Sequence, residues 1–165
     1  MHQNALQFLS RFAPFFRHGA SILEIGSLNL NGSPRSLFPG ENYLGIDLVA
    51  GSGVDVVSSG DAFDTDRRFE LVICAEVLEH APVAREICHN AFRLLVPGGL
   101  FLVTTAGYGR RPHSAVDGDH LRAGEFYRNV LESDLRDWLS PFSTVLIDLS
   151  VFGDICAFAT KGGNP

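Results

Sequence analysis

Cationic side chains are scarce in this sequence, and none of them form a basic run. The 165 residues include 13 Lys and Arg against 19 Asp and Glu, a formal net charge of −6, and Lys161 is the single lysine. A protein that holds a nucleic-acid backbone needs several cationic contacts to phosphate. We therefore expect no nucleic-acid partner, whereas a small-molecule substrate is compatible with this charge.

Cysteines and long apolar runs are also few. Cys74, Cys88 and Cys156 form no C-x-x-C pair and lie in apolar patterns, as reduced core thiols do in cytoplasmic proteins. No run approaches the roughly 18 apolar residues of a membrane span. The start of the chain is interrupted by Gln7 and Arg11, unlike a secretion signal. We expect a cytoplasmic protein with no membrane partner.

The length and the absence of linkers, repeats and low-complexity tracts predict a single domain over 1–165. Residues 1–18 form an N-terminal segment and residues 20–161 form an α/β core. Apolar residues recur at helical spacing in the N-terminal segment, and they predict an amphipathic helix packed on a sheet. Similar spacing predicts helices over 82–95 and 126–139.

The stretch from Ser21 to Leu48 predicts a strand, a polar loop, a helix and a second strand. The apolar run from Ile22 closes on Gly26, as a buried strand does. Ser33 and Pro34 then suit the start of a helix. Asp47 lies near the end of the second strand, over 43–48. Such a unit holds an adenosine-bearing cofactor, whose ribose hydroxyls the acid binds.

The loop of this unit distinguishes between cofactors. A dinucleotide site requires G-x-G-x-x-G, so that the backbone can meet the pyrophosphate. Leu28 stands where the second glycine belongs, which makes an NAD-dependent oxidoreductase a less favoured alternative. The run Glu24-Ile25-Gly26 instead resembles the first motif of class I S-adenosylmethionine-dependent methyltransferases.

Two further stretches carry the same resemblance. Residues 69–80 read F-E-L-V-I-C-A-E-V-L-E-H, and residues 93–105 read R-L-L-V-P-G-G-L-F-L-V-T-T. Both are similar to the fourth and fifth strands of that family, in its small type-11-like members, and the resemblance covers roughly residues 20–160. It implies a Rossmann-like seven-stranded, mostly parallel sheet with helices on both faces. Strand-like runs over 144–149 and 154–160 are too close together to be parallel, which agrees with an antiparallel last strand.

The family resemblance implies S-adenosyl-L-methionine as the cofactor and S-adenosyl-L-homocysteine as its product. The cofactor-binding residues that it implies are Glu24, Gly26, Ser27, Asp47, Leu48, Asp61, Ala62 and Glu76. Asp61 would accept from the adenine amine, and Glu76 would lie at the methionine end. A solvated acidic loop with Asp64 and Asp66 is the alternative for Asp61. The N-terminal helix would serve as a lid over the cofactor.

Residues 106–122 form an irregular loop after the fifth strand, where such loops are usually functional or disordered. His113 or His120 could act as a general base, since imidazole titrates near neutrality. Alternatively, the polar residues only hold the loop's shape. Metal binding by the His and Asp residues of this loop is the third alternative, but their spacing matches no known ligand pattern, and we predict no metal site. His80 is expected to stabilise the start of the following helix, with a catalytic role as the less favoured alternative.

The resulting prediction is a methyltransferase that acts on oxygen or nitrogen of a small molecule. Cys74-Ala75-Glu76-Val77 differs from the Asn/Asp-Pro-Pro-aromatic motif of family members that methylate nucleobase amines. There is little inserted sequence to recognise a substrate, so a homodimer could supply part of the site. For the same reason, a non-catalytic S-adenosylmethionine-binding subunit or regulatory module remains the alternative.

Overall fold

The computed structural model describes residues 3–40, 42–149 and 153–163. The helices are α1 (Gln3–Ser10), α2 (Ala84–Leu94) and α3 (Glu132–Trp138). The strands are β1 (Ile22–Ile25), β2 (Tyr43–Asp47), β3 (Val56–Val57), β4 (Phe69–Ala75), β5 (Leu95–Ala106), β6 (Thr144–Asp148) and β7 (Asp154–Thr160). Single 3-10 turns occupy Ala13–Phe15, Pro34–Leu37 and Leu78–His80. No helix in the described ranges is long and apolar enough to cross a membrane.

The seven strands form one sheet in the order β3-β2-β1-β4-β5-β7-β6. Strands β1 to β5 run parallel to one another, and β7 runs antiparallel between β5 and β6. This arrangement confirms the predicted Rossmann-like sheet with its antiparallel closing strand. Ile25 pairs with Ile46 on one side and with Cys74 on the other. The carboxyl ends of β1, β2 and β4 therefore meet at one edge of the sheet.

The central strands are buried because helices and turns cover both faces of the sheet. Leu71 and Ile73 of β4 pack with Phe8 and Leu9 of α1 on one face. Val72 and Cys74 of β4 pack on the other face, with residues of α2 and α3. Side chains alternate between faces along a strand, which explains how one continuous apolar run fills two cores.

Several predicted elements are shorter than the sequence indicated. Ser33 does cap the segment after β1, since its side chain accepts from the Arg35 amide, but that segment is one 3-10 turn. α1 ends before Pro14, which cannot continue a helix without losing a hydrogen bond. The helix predicted over 126–139 begins only at Glu132. The Val130 amide instead donates to the Ala106 carbonyl at 2.9 Å, which holds the preceding segment against β5.

The Pro97-Gly98-Gly99 turn lies inside β5 instead of separating a helix from a strand. Pairing with β4 shifts register between Phe69 and Leu71, and it resumes at Leu100. Gly98 has φ +79°, and its amide donates to the Lys161 carbonyl at 2.8 Å. The part of β5 from Leu100 onward is therefore the regular part of a longer, bulged strand.

Candidate active site

Two clefts adjoin at the carboxyl edge of the parallel strands, where open α/β sheets bind ligands. Each has a volume of about 210–220 Å³. The Asp47 cleft is lined by Asp47, Leu48 and Asp61, and the His113 cleft by Glu24, His113 and Ser114. Four residues line both clefts: Gly26, Glu76, His80 and Ala115. The two clefts therefore offer one continuous surface for a ligand and a reaction partner.

Asp47 accepts two backbone hydrogen bonds and also lines its cleft. Its Oδ2 accepts from the Leu28 amide at 3.0 Å, and its Oδ1 accepts from the Val49 amide at 3.3 Å. A carboxylate has about four lone-pair positions, so it can accept from a ligand as well. Asp47 thereby fixes the loop after β1 and stays available to hydroxyl groups.

Gly26 lies where β1 meets the loop, with φ +79°. A Cβ atom at this position would lie 2.2 Å from Cγ2 of Val77. Only glycine tolerates both this conformation and this approach. Gly26 therefore lets Val77 pack directly on the backbone at a point that lines both clefts.

Glu24 is a buried acid in the wall of the His113 cleft. The Tyr43 hydroxyl donates to its Oε2 at 2.8 Å. Burial raises the pKa of Glu24 from 4.5 to about 7, although the Tyr43 hydrogen bond and the Arg35 charge act in the opposite direction. Glu24 can therefore exchange a proton or a hydrogen bond near neutral pH.

Glu76 is the one residue other than glycine with positive φ among those the structure describes, at 58°. Its amide donates to the Thr104 carbonyl at 2.8 Å, and the Thr104 hydroxyl donates to its Oε1 at 3.0 Å. Burial, with the nearby Asp154, raises the pKa of Glu76. A left-handed non-glycine residue costs on the order of 1 kcal/mol or more. Such strain at a cleft indicates a functional position.

Three aromatic rings pack together at the His113 cleft. The ring centroids of His80 and His113 are 4.9 Å apart, and Tyr127 lies 5.3 Å from His80 and 5.0 Å from His113. Burial, followed by the His113 ring, lowers the pKa of His80 to about 4. His80 is therefore neutral at physiological pH, and one of its ring nitrogens offers a lone pair.

Glu79 lies directly behind these rings and is completely buried. Its Oε2 accepts from the Thr105 hydroxyl at 2.8 Å, and its Oε1 accepts from the Ala106 amide at 3.0 Å. Burial, and then the charge of Glu76, raises the pKa of Glu79 to about 8. The sequence did not identify Glu79 or Tyr127 as residues of the site. The adjacent Glu79-His80 pair after a central strand was the available signal, whereas nothing local indicated Tyr127.

Three of the proposed site residues do not line either cleft, as far as the described chain shows. The Ser27 side chain is buried against the Gly45 backbone, where an added Cβ would lie 2.6 Å from its hydroxyl. Ala62 is exposed. The His120 side chain is 98% exposed and pairs with Asp119 at 2.7 Å. His80 does not cap α2 through its side chain, since Val83 is the N-cap residue.

The loop after β5 is irregular but well tied together, and we call residues 107–130 the cover loop. The Ser114 hydroxyl donates to Glu125 Oε1 at 2.7 Å, and Arg110 pairs with the buried Asp154 of β7. The Arg128 amide donates to the Glu79 carbonyl at 2.9 Å. These contacts hold His113 over the cleft.

Residues 1–143 match the model of a family described as a methyltransferase domain. The chain belongs to this methyltransferase domain family. The predicted class I methyltransferase membership is therefore confirmed, and with it S-adenosyl-L-methionine as the cofactor characteristic of the family. A comparison with curated proteins finds no match.

Solved structures share the fold at low sequence identity. The N-methyltransferase NodS from Bradyrhizobium japonicum WM9, in complex with S-adenosyl-L-homocysteine, is 17% identical, with a TM-score of 0.67 over 96% of this chain and 86% of NodS. The 1,6-didemethyltoxoflavin-N1-methyltransferase of Burkholderia thailandensis is 19% identical, with a TM-score of 0.69 over 97% and 77%. Magnesium protoporphyrin IX methyltransferase from Synechocystis PCC 6803, with bound S-adenosylmethionine, is 16% identical, with a TM-score of 0.65 over 98% and 80%.

Proposed function

We propose that this methyltransferase transfers the methyl group of S-adenosylmethionine to oxygen or nitrogen of a small-molecule acceptor. The observation that carries the proposal is the pair of adjoining clefts, one with an acid at the end of β2 and the other with two histidines. NodS, the toxoflavin enzyme and the protoporphyrin enzyme, which share the fold, are named for small acceptors or were solved with this cofactor or its product.

The Asp47 cleft suits the adenosine part of the cofactor. Its acids, Asp47 and Asp61, can accept from ribose hydroxyls and from the adenine amine. Its apolar lining includes Ile46, Val77 and Ile87, and no lysine or arginine occurs among the described residues that line it. Such a cleft accepts a neutral nucleoside better than a pyrophosphate, which requires cationic or backbone donors. Leu48 then flanks the adenine, whereas Ser27 and Ala62 contribute no side chain.

The methionine part and the acceptor would share the His113 cleft. Glu24, Gly26 and Glu76 would lie along the methionine, where the family resemblance also places Glu76. The bound cofactor supplies an already electrophilic methyl group, so the protein's main task is to align the acceptor. His113 lies where it can contact the acceptor, and the exposed His120 does not.

The N-terminal helix has a place in the same proposal. Residues 1–18 would act as the lid and residues 20–161 as the core of a single domain. Leu6 of α1 lies close to the loop after β1, where a Cβ on Gly32 would be 3.7 Å from Leu6 Cδ1.

The described cysteines are buried and free, which supports a cytoplasmic location. A homodimer would be detected by light scattering.

Calorimetric titration tests the cofactor assignment. The wild-type protein is expected to bind S-adenosylmethionine and S-adenosylhomocysteine with micromolar affinity, and NADH much more weakly. Asp47→Asn should weaken the binding of S-adenosylmethionine and of S-adenosylhomocysteine by about tenfold to 100-fold, since charge-assisted hydrogen bonds contribute roughly 1.5–3 kcal/mol. Asp64→Asn is the matched control, because Asp64 lies outside the clefts and pairs with Arg93. Equal binding by both variants would contradict the proposed role of Asp47.

A further inference from the structure

Glu79, His80 and His113 come together at the wall of the His113 cleft. One ligand atom of each residue lies within 4.8 Å of the others. Glu79 and His80 follow β4, whereas His113 belongs to the cover loop. A carboxylate and two imidazoles at this separation can converge on one cation with little movement.

The ring of His80 has a buried nitrogen that no described residue satisfies. Its Nδ1 is buried and has no hydrogen-bond partner among the described residues. A buried polar atom without a partner costs roughly 1–3 kcal/mol, so its presence needs an explanation. A ligand that accepts a lone pair from Nδ1 would remove that cost.

Glu79 is positioned as metal-binding carboxylates usually are. Each of its oxygens accepts one hydrogen bond, from Thr105 and from the Ala106 amide, and each keeps a further lone pair. Such outer contacts orient a ligating carboxylate. No ion pair to Glu79 occurs among the described residues, although the side chain is completely buried. A bound cation would stabilise the ionised form of this buried carboxyl.

We propose that Glu79, His80 and His113 form a binding site for a divalent transition-metal ion. Two imidazole nitrogens and one carboxylate oxygen suit ions such as Zn²⁺, Mn²⁺, Fe²⁺ or Co²⁺ more than Mg²⁺ or Ca²⁺. Three protein ligands leave coordination positions open. Because His80 and His113 also line the cleft, those positions face the space proposed for the acceptor.

The site narrows the acceptor class, an inference that rests on the proposed methyltransferase function. A hydroxylated acceptor would complete the coordination, and a divalent ion lowers the pKa of a hydroxyl that it binds. The hydroxyl proton then passes to solvent. A lone pair of the oxygen forms the O–CH3 bond while the electron pair of the S–CH3 bond stays on sulfur. The products are a methyl ether and S-adenosylhomocysteine, and no general base is required.

The test is titration of the chelator-treated full chain with Co²⁺, Mn²⁺ and Zn²⁺, followed by calorimetry and by Co²⁺ visible absorption. We expect one ion per chain. His80→Ala and His113→Ala should each weaken binding by about tenfold or more, since loss of even an outer-shell partner has that effect. His120→Ala and His89→Ala are the controls, because both residues are exposed. Thermal unfolding verifies that each variant is folded. If His80→Ala does not fold, His113→Ala still tests the site.

S-adenosylhomocysteine binding is measured on the same samples. If S-adenosylhomocysteine binds but none of the three metal ions does, the metal site is overturned and the methyltransferase proposal stands. Metal binding that survives in His113→Ala, or is lost in His120→Ala, would also overturn the site. Metal binding without S-adenosylhomocysteine binding would support the site but contradict the proposed function.

Discussion

Glu24 shows at the scale of one residue how a buried acid can reduce stability. Its pKa in the folded protein, about 7, lies above the ordinary value of 4.5. The folded state therefore keeps a proton over a pH range in which the unfolded chain has lost it. The stability associated with this proton is fully present below pH 4.5 and is lost as the pH rises to about 7. Above that range, the buried charge destabilises the fold.

Glu24→Gln should therefore raise the free energy of unfolding at pH 8 and change it little at pH 4. The increase is at most about 3 kcal/mol, because each pKa unit corresponds to about 1.4 kcal/mol. A glutamine oxygen can still accept from the Tyr43 hydroxyl. Urea unfolding at both pH values measures the effect, and Glu86→Gln on the exposed side of α2 is the control. An equal change at pH 4 and pH 8 would contradict the stated origin of the effect.

Gly26 permits a second prediction, because Gly98 provides a matched control. Both glycines have φ +79°, but a Cβ on Gly98 meets nothing within 4 Å, whereas one on Gly26 meets Val77. Gly98→Ala should cost about 1–3 kcal/mol for the backbone alone. Gly26→Ala should cost a further 1–3 kcal/mol for overpacking and should weaken S-adenosylhomocysteine binding.

Thermal and chemical unfolding of the two glycine variants measure this difference. Val77→Ala in the Gly26→Ala background removes the Cγ2 atom and should restore the part of the loss caused by overpacking. Equal losses for Gly26→Ala and Gly98→Ala would show that the Val77 contact is unimportant.

The positions of single residues at the clefts were predictable where a local motif defined them. Gly26 and Asp47 could be identified from strand ends a short distance apart. Glu79 and Tyr127 could not, because their partners come from segments far along the chain. The Glu79 carboxylate meets Thr105 and Ala106 of β5, and Tyr127 meets two histidines. His120, which lies further along the same loop than His113, is exposed to solvent instead.

At the scale of elements, α1 presents two different faces. Leu9 is completely buried against the sheet, whereas Leu6 is half-buried beside the loop after β1. Leu9→Ala should reduce the free energy of unfolding by about 2–5 kcal/mol. Leu6→Ala should change it much less and should weaken S-adenosylhomocysteine binding if α1 is a lid. Unchanged binding in Leu6→Ala would leave α1 with a packing role alone.

Elements were predictable where periodicity and packing agreed. β4 is apolar from Leu71 to Ala75 and central in the sheet, so its pattern permitted one interpretation. The segment 126–131 has helical spacing but is not helical, because its backbone is held by β5 and by Glu79. Tertiary contacts overrode local preference there. The same contacts turned the loop after β5 into a fixed cover.

At the scale of the whole molecule, the fold was predictable because chain connectivity restricts it. Parallel strands need long crossovers and closely spaced strands are antiparallel, so the order of elements leaves few topologies. The position of the clefts was also predictable, since ligands bind at the carboxyl edge of such a sheet. The acceptor did not follow, because it depends on side chains of the cover loop that only folding brings together.

The central claim is that two adjoining clefts hold a methyl donor and its acceptor, and a crystal structure with S-adenosylhomocysteine tests it most directly. We expect the ribose at Asp47, the adenine beside Leu48 and Asp61, and the sulfur facing the cleft of His80 and His113. A ligand bound elsewhere, or with its sulfur turned away from His113, would contradict the account.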